Sequence, residues 1–298
     1  MAGLKPVEPV FGGSCGCDVA EADVAVWGVP TDCGAGTGRT GAAAGPGVIR
    51  EASNTWNTVR TSAGFQFPKR GRVVDLGDVD LDGVEPEDVP GAIRTAAPAM
   101  PGGRLTVAIG GDHSITMPIL ESSDETWALI YFDAHPDCIE HYGGNRRSHA
   151  CVLRRLVEAG KVDPAASIVI GMRAPEAEEV AWLEERGVEA LTARQVSRLG
   201  IDEVCAHALE RAGDRPRYLS LDMDVLDACC VPGVENPEPG GLSSREMLEA
   251  CELLAGEVRA LDLVEVTGDC DPAGITAKTA ARILLDLVGG HIRKKVAG

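Results

Sequence analysis

Four short runs hold the residues with the most chemistry to offer: Gly110-Gly111-Asp112-His113-Ser114, Asp133-Ala134-His135-Pro136-Asp137, Asp222-Met223-Asp224 and Glu265. In extended backbone, residues i and i+2 share a face. That spacing aims Asp133, His135 and Asp137 one way, and Asp222 with Asp224 likewise, while Ala134 and Met223 turn into the core. Unpaired carboxylates at the end of a buried strand are expensive, and several together are prohibitive without cations. Two divalent ions balance Asp133, Asp137, Asp222 and Asp224, with His113 and His135 neutral. Carboxylate oxygens with two imidazoles and no thiolate suit Mn²⁺ better than structural Zn²⁺. Taken singly, G-G-D-H-S reads as a turn and D-A-H-P-D as a helix cap. Together, each closing an apolar strand, they read as one site.

Along the chain, short apolar runs alternate with amphipathic ones. Strands are expected at Asp23 to Gly28, Val73 to Leu76, Leu105 to Ile109, Trp127 to Phe132, Ser167 to Ile170, Tyr218 to Leu221 and Leu261 to Val266. They are apolar on both faces, as buried parallel strands are. Helices are expected at Ala150 to Ala159, Pro175 to Arg186, Asp202 to Arg211, Ser244 to Leu254 and Ala273 to Val288. Ser243 or Ser244 with Glu246 downstream, and Thr276, supply starts. This alternation implies an α/β fold around a parallel sheet, with ligands outside the carboxyl ends of its strands. A single domain is expected over residues 1–298, with 1–20 as an N-terminal extension. The Gly- and Pro-rich stretches Cys33 to Gly47 and Cys229 to Gly241 are long for βα connections, which marks them as functional loops.

The chain has 298 residues, 44% apolar, with 46 acidic against 28 basic side chains and a formal charge of −18. That balance argues against nucleic acid as a partner and favours a cationic ligand. No signal peptide or membrane span is legible, so a cytoplasmic, membrane-free protein is expected. None of the ten cysteines forms a C-x-x-C pair, and reduced thiols acting as small apolar residues are expected.

With these blocks in view, the chain resembles the ureohydrolase (arginase–agmatinase) family. Gly110 to Ser114, Asp133 to Asp137, Ser220 to Asp227 and Val264-Glu265-Val266 look like its signature blocks. The likeness extends to Asp23 through Pro30, Gly45-Pro46 with Ile49-Arg50, Asp75 to Val79 and Glu238 to Leu242. Ser148 to Cys151 and Pro232 through Gly241 point to the agmatinase-like branch. The resemblance implies a three-layer α/β/α sandwich with a mostly parallel sheet, usually a homotrimer or homohexamer. It implies two Mn²⁺ per chain, one held by His113 and Asp137, the other by His135 and Asp224, with Asp133 and Asp222 bridging. It implies hydrolysis of a guanidino group to urea and an amine by a metal-activated water. Glu265 would fork the guanidinium, Asp137 would accept a proton, and His149 would relay one to the departing amine.

The chain departs from the family pattern at Ala43-Ala44, Arg146-Arg147, Ala228 with Cys229-Cys230, and Glu235-Asn236. All lie in or near loops expected to shape the substrate pocket. Arg146 or Arg147 at the pocket would favour arginine, 4-guanidinobutyrate or a specialised guanidino acid. Glu140 or Glu235 there would favour agmatine, the substrate expected from the branch. The rival classes are a single-Zn deacetylase-like amidohydrolase and a catalytically inactive family member.

Overall fold

The computed structural model describes residues 3–14, 17–35, 40–56 and 72–297. Four positions of the Cys33–Gly47 loop, 36–39, lie outside the described residues, as do 1–2 and 15–16 of the expected N-terminal extension.

Strands are β1 (Leu4–Lys5), β2 (Val24–Val29), β3 (Val73–Val79), β4 (Leu105–Gly110), β5 (Ala128–Phe132), β6 (Ile168–Met172), β7 (Glu189–Thr192), β8 (Arg217–Asp222) and β9 (Ala260–Val264). They form one sheet in the order β1-β3-β2-β4-β9-β8-β5-β6-β7. Every pairing is parallel except β1 with β3. The four strands expected to carry the site, β4, β9, β8 and β5, are therefore consecutive at the centre. Their ends are level: Ile109 and Leu221 both register with Leu263, and Phe132 with Leu221.

Helices are α1 (Gly45–Asn54), α2 (Val89–Ala96), α3 (Thr116–Glu121), α4 (Val152–Glu158), α5 (Ala177–Arg186), α6 (Ala193–Leu199), α7 (Ile201–Ala212), α8 (Ser244–Leu254) and α9 (Ile275–Ala297). The period-two alternation of the strands sends side chains to two separate cores. Ile130, Phe132, Leu219, Leu221, Leu261 and Leu263 pack with α1 and α6 to α9. Leu129, Tyr131, Tyr218 and Val264 pack with α2 to α5. Two helical layers on one sheet make the three-layer α/β/α sandwich.

Several boundaries moved. α9 runs nine residues past the expected Val288, to Ala297. Its first turn is capped by Asp271, which accepts from Ile275 N and Ala277 N, while Thr276 Oγ1 instead accepts from Gly233 N. Ser243 and Glu246 form the capping box of α8. In the expected N-terminal extension, Leu4–Lys5 add an antiparallel edge strand and Phe11 is fully buried.

Candidate metal centre

Each run reaches the centre through a turn that its own sequence builds. Gly111, after β4, lies so close to Thr31 that a Cβ there would stand 1.7 Å from the Thr31 carbonyl oxygen. Asp112 then accepts from Ser114 N at 2.8 Å and caps a 3₁₀ turn that lifts His113 over the sheet. After β5, Asp133 Oδ1 accepts from His135 N at 2.7 Å. After β8, Asp222 Oδ1 accepts from Asp224 N at 2.8 Å, and Asp224 Oδ1 accepts from Ala134 N at 3.1 Å. Asp224 thus sits in a 3₁₀ turn rather than on extended backbone. Convergence comes from aspartates folding back on their own turns, while Ala134 and Met223 are buried as the spacing suggested.

Asp137 and Glu265 have φ of 49° and 65°, and no other non-glycine residue among those described has positive φ. Such conformations cost of order 1–3 kcal/mol and persist where surrounding contacts impose them. Here both side chains are turned into the same cleft.

The six expected ligands meet in two lobes. His113 Nδ1 lies 3.1 Å from Asp133 Oδ2, 3.2 Å from Asp137 Oδ2 and 3.0 Å from Asp222 Oδ2. His135 Nδ1 lies 3.0 Å from Asp224 Oδ2 and 3.6 Å from Asp133 Oδ1. Asp133 belongs to both. Burial pushes the Asp133 carboxyl up to about 6 and Asp222 well above the usual range, and the neighbouring carboxylates add to this. Burial opposes protonation of the imidazoles, but the surrounding aspartates prevail. They hold His113 well above its ordinary value and His135 up to about 12.

Beside this cluster, His149 donates from Nδ1 to Glu265 Oε1 at 3.1 Å, and the same oxygen accepts from His113 N at 2.8 Å. Against the cost of burial, Glu265 and then Asp137 and Asp112 raise His149 to about 10. Glu235 is buried with its carboxylate 3.9 Å from His149 Nδ1. A cavity of about 190 Å³ opens over the centre, lined by Asp137, Asp222, Asp224, His149 and Glu265, with Tyr142, Glu176 and Asn236 further out. No Lys or Arg among the described residues lines it. Arg147 is not brought to this cavity: both its terminal nitrogens bond Glu121. Arg146 pairs with Glu140 and Glu158.

Sequence reasoning passed over residues behind the ligands. Tyr131 stacks on the His113 ring, with centroids 4.7 Å apart, and donates its hydroxyl to Asp137 Oδ2 at 2.9 Å. Ser220 and Asp262 lie beneath His113, and each was visible as a polar residue inside an apolar strand. Arg173 donates to the carbonyls of Asp224, Val225 and Leu226 on one side and of Glu238 and Pro239 on the other. It closes the loop that follows the Asp222–Asp224 turn.

The fold is that of the ureohydrolase class of enzymes. A family model described as the arginase family matches residues 22–289. The agmatinase of Chromobacterium violaceum is 33% identical, over 94% of this chain and 87% of its own. The guanidinopropionase of Pseudomonas aeruginosa is also 33% identical, over 91% of this chain and 87% of its own. The solved structure of proclavaminate amidinohydrolase from Streptomyces clavuligerus superposes with a TM-score of 0.82 at 30% identity, covering 91% of this chain and 92% of that one. The chain belongs to the arginase family, with the agmatinase-like branch among its relatives.

Proposed function

We propose that this chain hydrolyses a guanidino compound to urea and an amine, using two Mn²⁺ ions per chain, and that its substrate is agmatine or a guanidino cation of similar length. The observation that carries the substrate reading is the cavity wall, which offers several carboxylates and, among the described residues, no Lys or Arg. Arginine and guanidino acids would bring a carboxylate that no Lys or Arg among the described lining residues receives, to a wall already rich in carboxylates. Agmatine would bring a second positive charge to an acidic wall.

The donor set fits a pair of dications. Asp133 Oδ2 is fully buried and accepts no hydrogen bond, although it faces the His113 ring nitrogen at 3.1 Å. Oxygen and imidazole ligands are those Mn²⁺ accepts. His113 and Asp137 would hold one ion, His135 and Asp224 the other, with Asp133 and Asp222 between them. When bound, the ions supply Lewis-acid charge that brings the pKa of water toward neutrality.

The chain's own residues do the rest. Glu265 Oε1 is occupied by His113 N and His149, whereas Oε2 is buried without a hydrogen bond and is available to a guanidinium N–H. With Nδ1 committed to Glu265, His149 presents Nε2 as the atom that gives a proton to the departing amine. Asp137, steadied by the Tyr131 hydroxyl, accepts the proton released from water. Glu235 adds negative charge behind His149 and favours a cationic substrate without lining the cavity. We further propose that the chain acts as one domain spanning residues 1–298, in a cytoplasmic homotrimer or homohexamer. No helix among the described residues is long and apolar enough to cross a membrane.

The test is urea release with Mn²⁺ across agmatine, arginine, 4-guanidinobutyrate, 3-guanidinopropionate and guanidine. Agmatine should give the highest kcat/KM. A preference for either guanidino acid would overturn the substrate reading, and no urea from any of them would return the chain to the inactive class.

A further inference from the structure

Beneath His113 lies a closed network of hydroxyls around one buried carboxylate. Asp262 sits in mid-strand on β9 with no exposure, as do His113, Thr116, Ser220 and Tyr218 around it. Ser220 Oγ lies 2.6 Å from Asp262 Oδ1. Thr116 Oγ1 and Tyr218 OH lie 2.7 Å and 2.8 Å from Asp262 Oδ2. On its other side, Ser220 Oγ lies 2.8 Å from His113 Nε2.

The hydrogens can be counted. Three hydroxyls carry one donor each, and the ionised carboxylate is an acceptor only. The Ser220–Asp262 separation is that of an O–H···O⁻ bond assisted by charge. Ser220 therefore spends its single proton on Asp262. Its oxygen can then only accept from His113, so Nε2 carries the hydrogen, and when the ring is neutral, as a metal ligand must be, it is Nδ1 that keeps the lone pair. Nδ1 is the nitrogen facing Asp133, Asp137 and Asp222.

We propose that Ser220 and Asp262 are positioning residues that fix the His113 tautomer and thereby set how tightly the chain holds the metal ion on the His113 side. The inference rests on the reading of His113 as a ligand. It adds that the direction of a hydrogen-bond relay, two residues deep, decides whether Nδ1 is available. Tyr131, flat against the ring, fixes its plane, and the relay fixes its electronics. Neutral imidazole binds a metal through whichever nitrogen lacks the hydrogen, and the bond made by the other nitrogen selects it.

The substitution Asp262→Asn is the sharpest probe. The introduced carboxamide would occupy the same volume, accept from Tyr218 and Thr116, and donate its amide to Ser220. Ser220 would then turn its proton toward His113 and reverse the relay. The full chain, Asp262→Asn, Ser220→Ala and Ser220→Thr would each be titrated with Mn²⁺ by calorimetry, and folding checked by circular dichroism. Asp262→Asn and Ser220→Ala should weaken the affected Mn²⁺ site about 10–100-fold. Ser220→Thr, which keeps the hydroxyl, should restore it. In parallel, ¹⁵N spectra of the unmutated chain loaded with diamagnetic Zn²⁺ should show His113 protonated at Nε2, a readout that needs no variant to fold.

A folded Asp262→Asn protein with unchanged Mn²⁺ affinity would overturn the relay, as would an Nδ1-protonated His113 in the Zn²⁺-loaded chain. Those results would leave the metal reading standing. Failure of the unmutated chain to bind Mn²⁺ at all would overturn both.

Discussion

Two buried acidic clusters sit on this one sheet, and they are neutralised in opposite ways. Beside β3, Asp75 and Asp78 face the guanidinium of Arg50, which is 1% exposed. Arg50 Nε and Nη2 bond Asp75 at 2.8 and 3.0 Å, and Nη1 bonds Asp78 at 2.6 Å. Phe11 N and Gly77 N complete Asp75. At the centre of the sheet, Asp133, Asp137, Asp222 and Asp224 face two imidazoles, and among the described residues no Lys or Arg bonds their carboxylates, Arg173 reaching only the Asp224 carbonyl. The first cluster carries its counter-charge within the chain and so ties the N-terminal segment and α1 to the sheet. The second calls for counter-charge from outside. A buried carboxylate thus signals a ligand only where the protein withholds a fixed cation from it.

The contrast can be broken most forcefully at the second cluster. His113→Ala or Asp224→Ala should lose Mn²⁺ and at least about 10³-fold in kcat together, the rate equivalent of several kcal/mol of Lewis-acid stabilisation. Metal analysis beside urea assays checks this, and full turnover from a metal-free His113→Ala protein would end the proposal. At the first cluster, Arg50→Ala should cost about 3–5 kcal/mol of stability by denaturant unfolding, because it leaves carboxylates buried without a partner. The folded fraction should still bind Mn²⁺ in the unmutated ratio. If Arg50→Ala emptied the metal centre while folded, the two clusters would not be independent.

A smaller effect sharpens the role of His149. Its folded value of about 10 lies above the ordinary imidazole value, so the protonated form favours the folded state. The stability it contributes is full below the ordinary imidazole value of 6.5 and is lost as pH rises through about 10. In chelator, the stability gap between the parent and His149→Asn should therefore narrow from about pH 6 to about pH 10. A gap that is constant across that range would detach His149 from Glu265. The smallest effect belongs to Arg147→Ala, which breaks a half-exposed pair with Glu121. It should change stability by no more than about 1 kcal/mol and leave KM for agmatine unaltered. A large rise in KM would bring Arg147 into the pocket after all.

How much of this was legible in the sequence follows from which forces act locally. The central strands could be read because they are apolar on both faces and each ends in a ligand run. β7 (Glu189–Thr192) was missed because an edge strand needs no continuous apolar run, and its burial is only partial. The short helices α2, α3 and α6 were missed because packing, not periodicity, defines segments of six to eight residues. Within the site, Asp133 and His135 announced themselves by spacing. The left-handed backbone at Asp137 and Glu265 did not, since it is imposed by contacts distant in sequence. Arg147 was indistinguishable from a substrate ligand until Glu121, 26 residues away, was seen to hold it.

The Arg173 side chain has a consequence for how selectivity can change. Because one planar cation clasps both ends of the segment from Asp224 to Pro239, the wall bearing Asn236 behaves as a mounted plate rather than a flap. New substrates are then accommodated by exchanging side chains on that plate, one at a time, without disturbing the aspartates at its root. A lysine in place of Arg173, with a single point of attachment, would loosen the mounting and blur selectivity before it dimmed the chemistry.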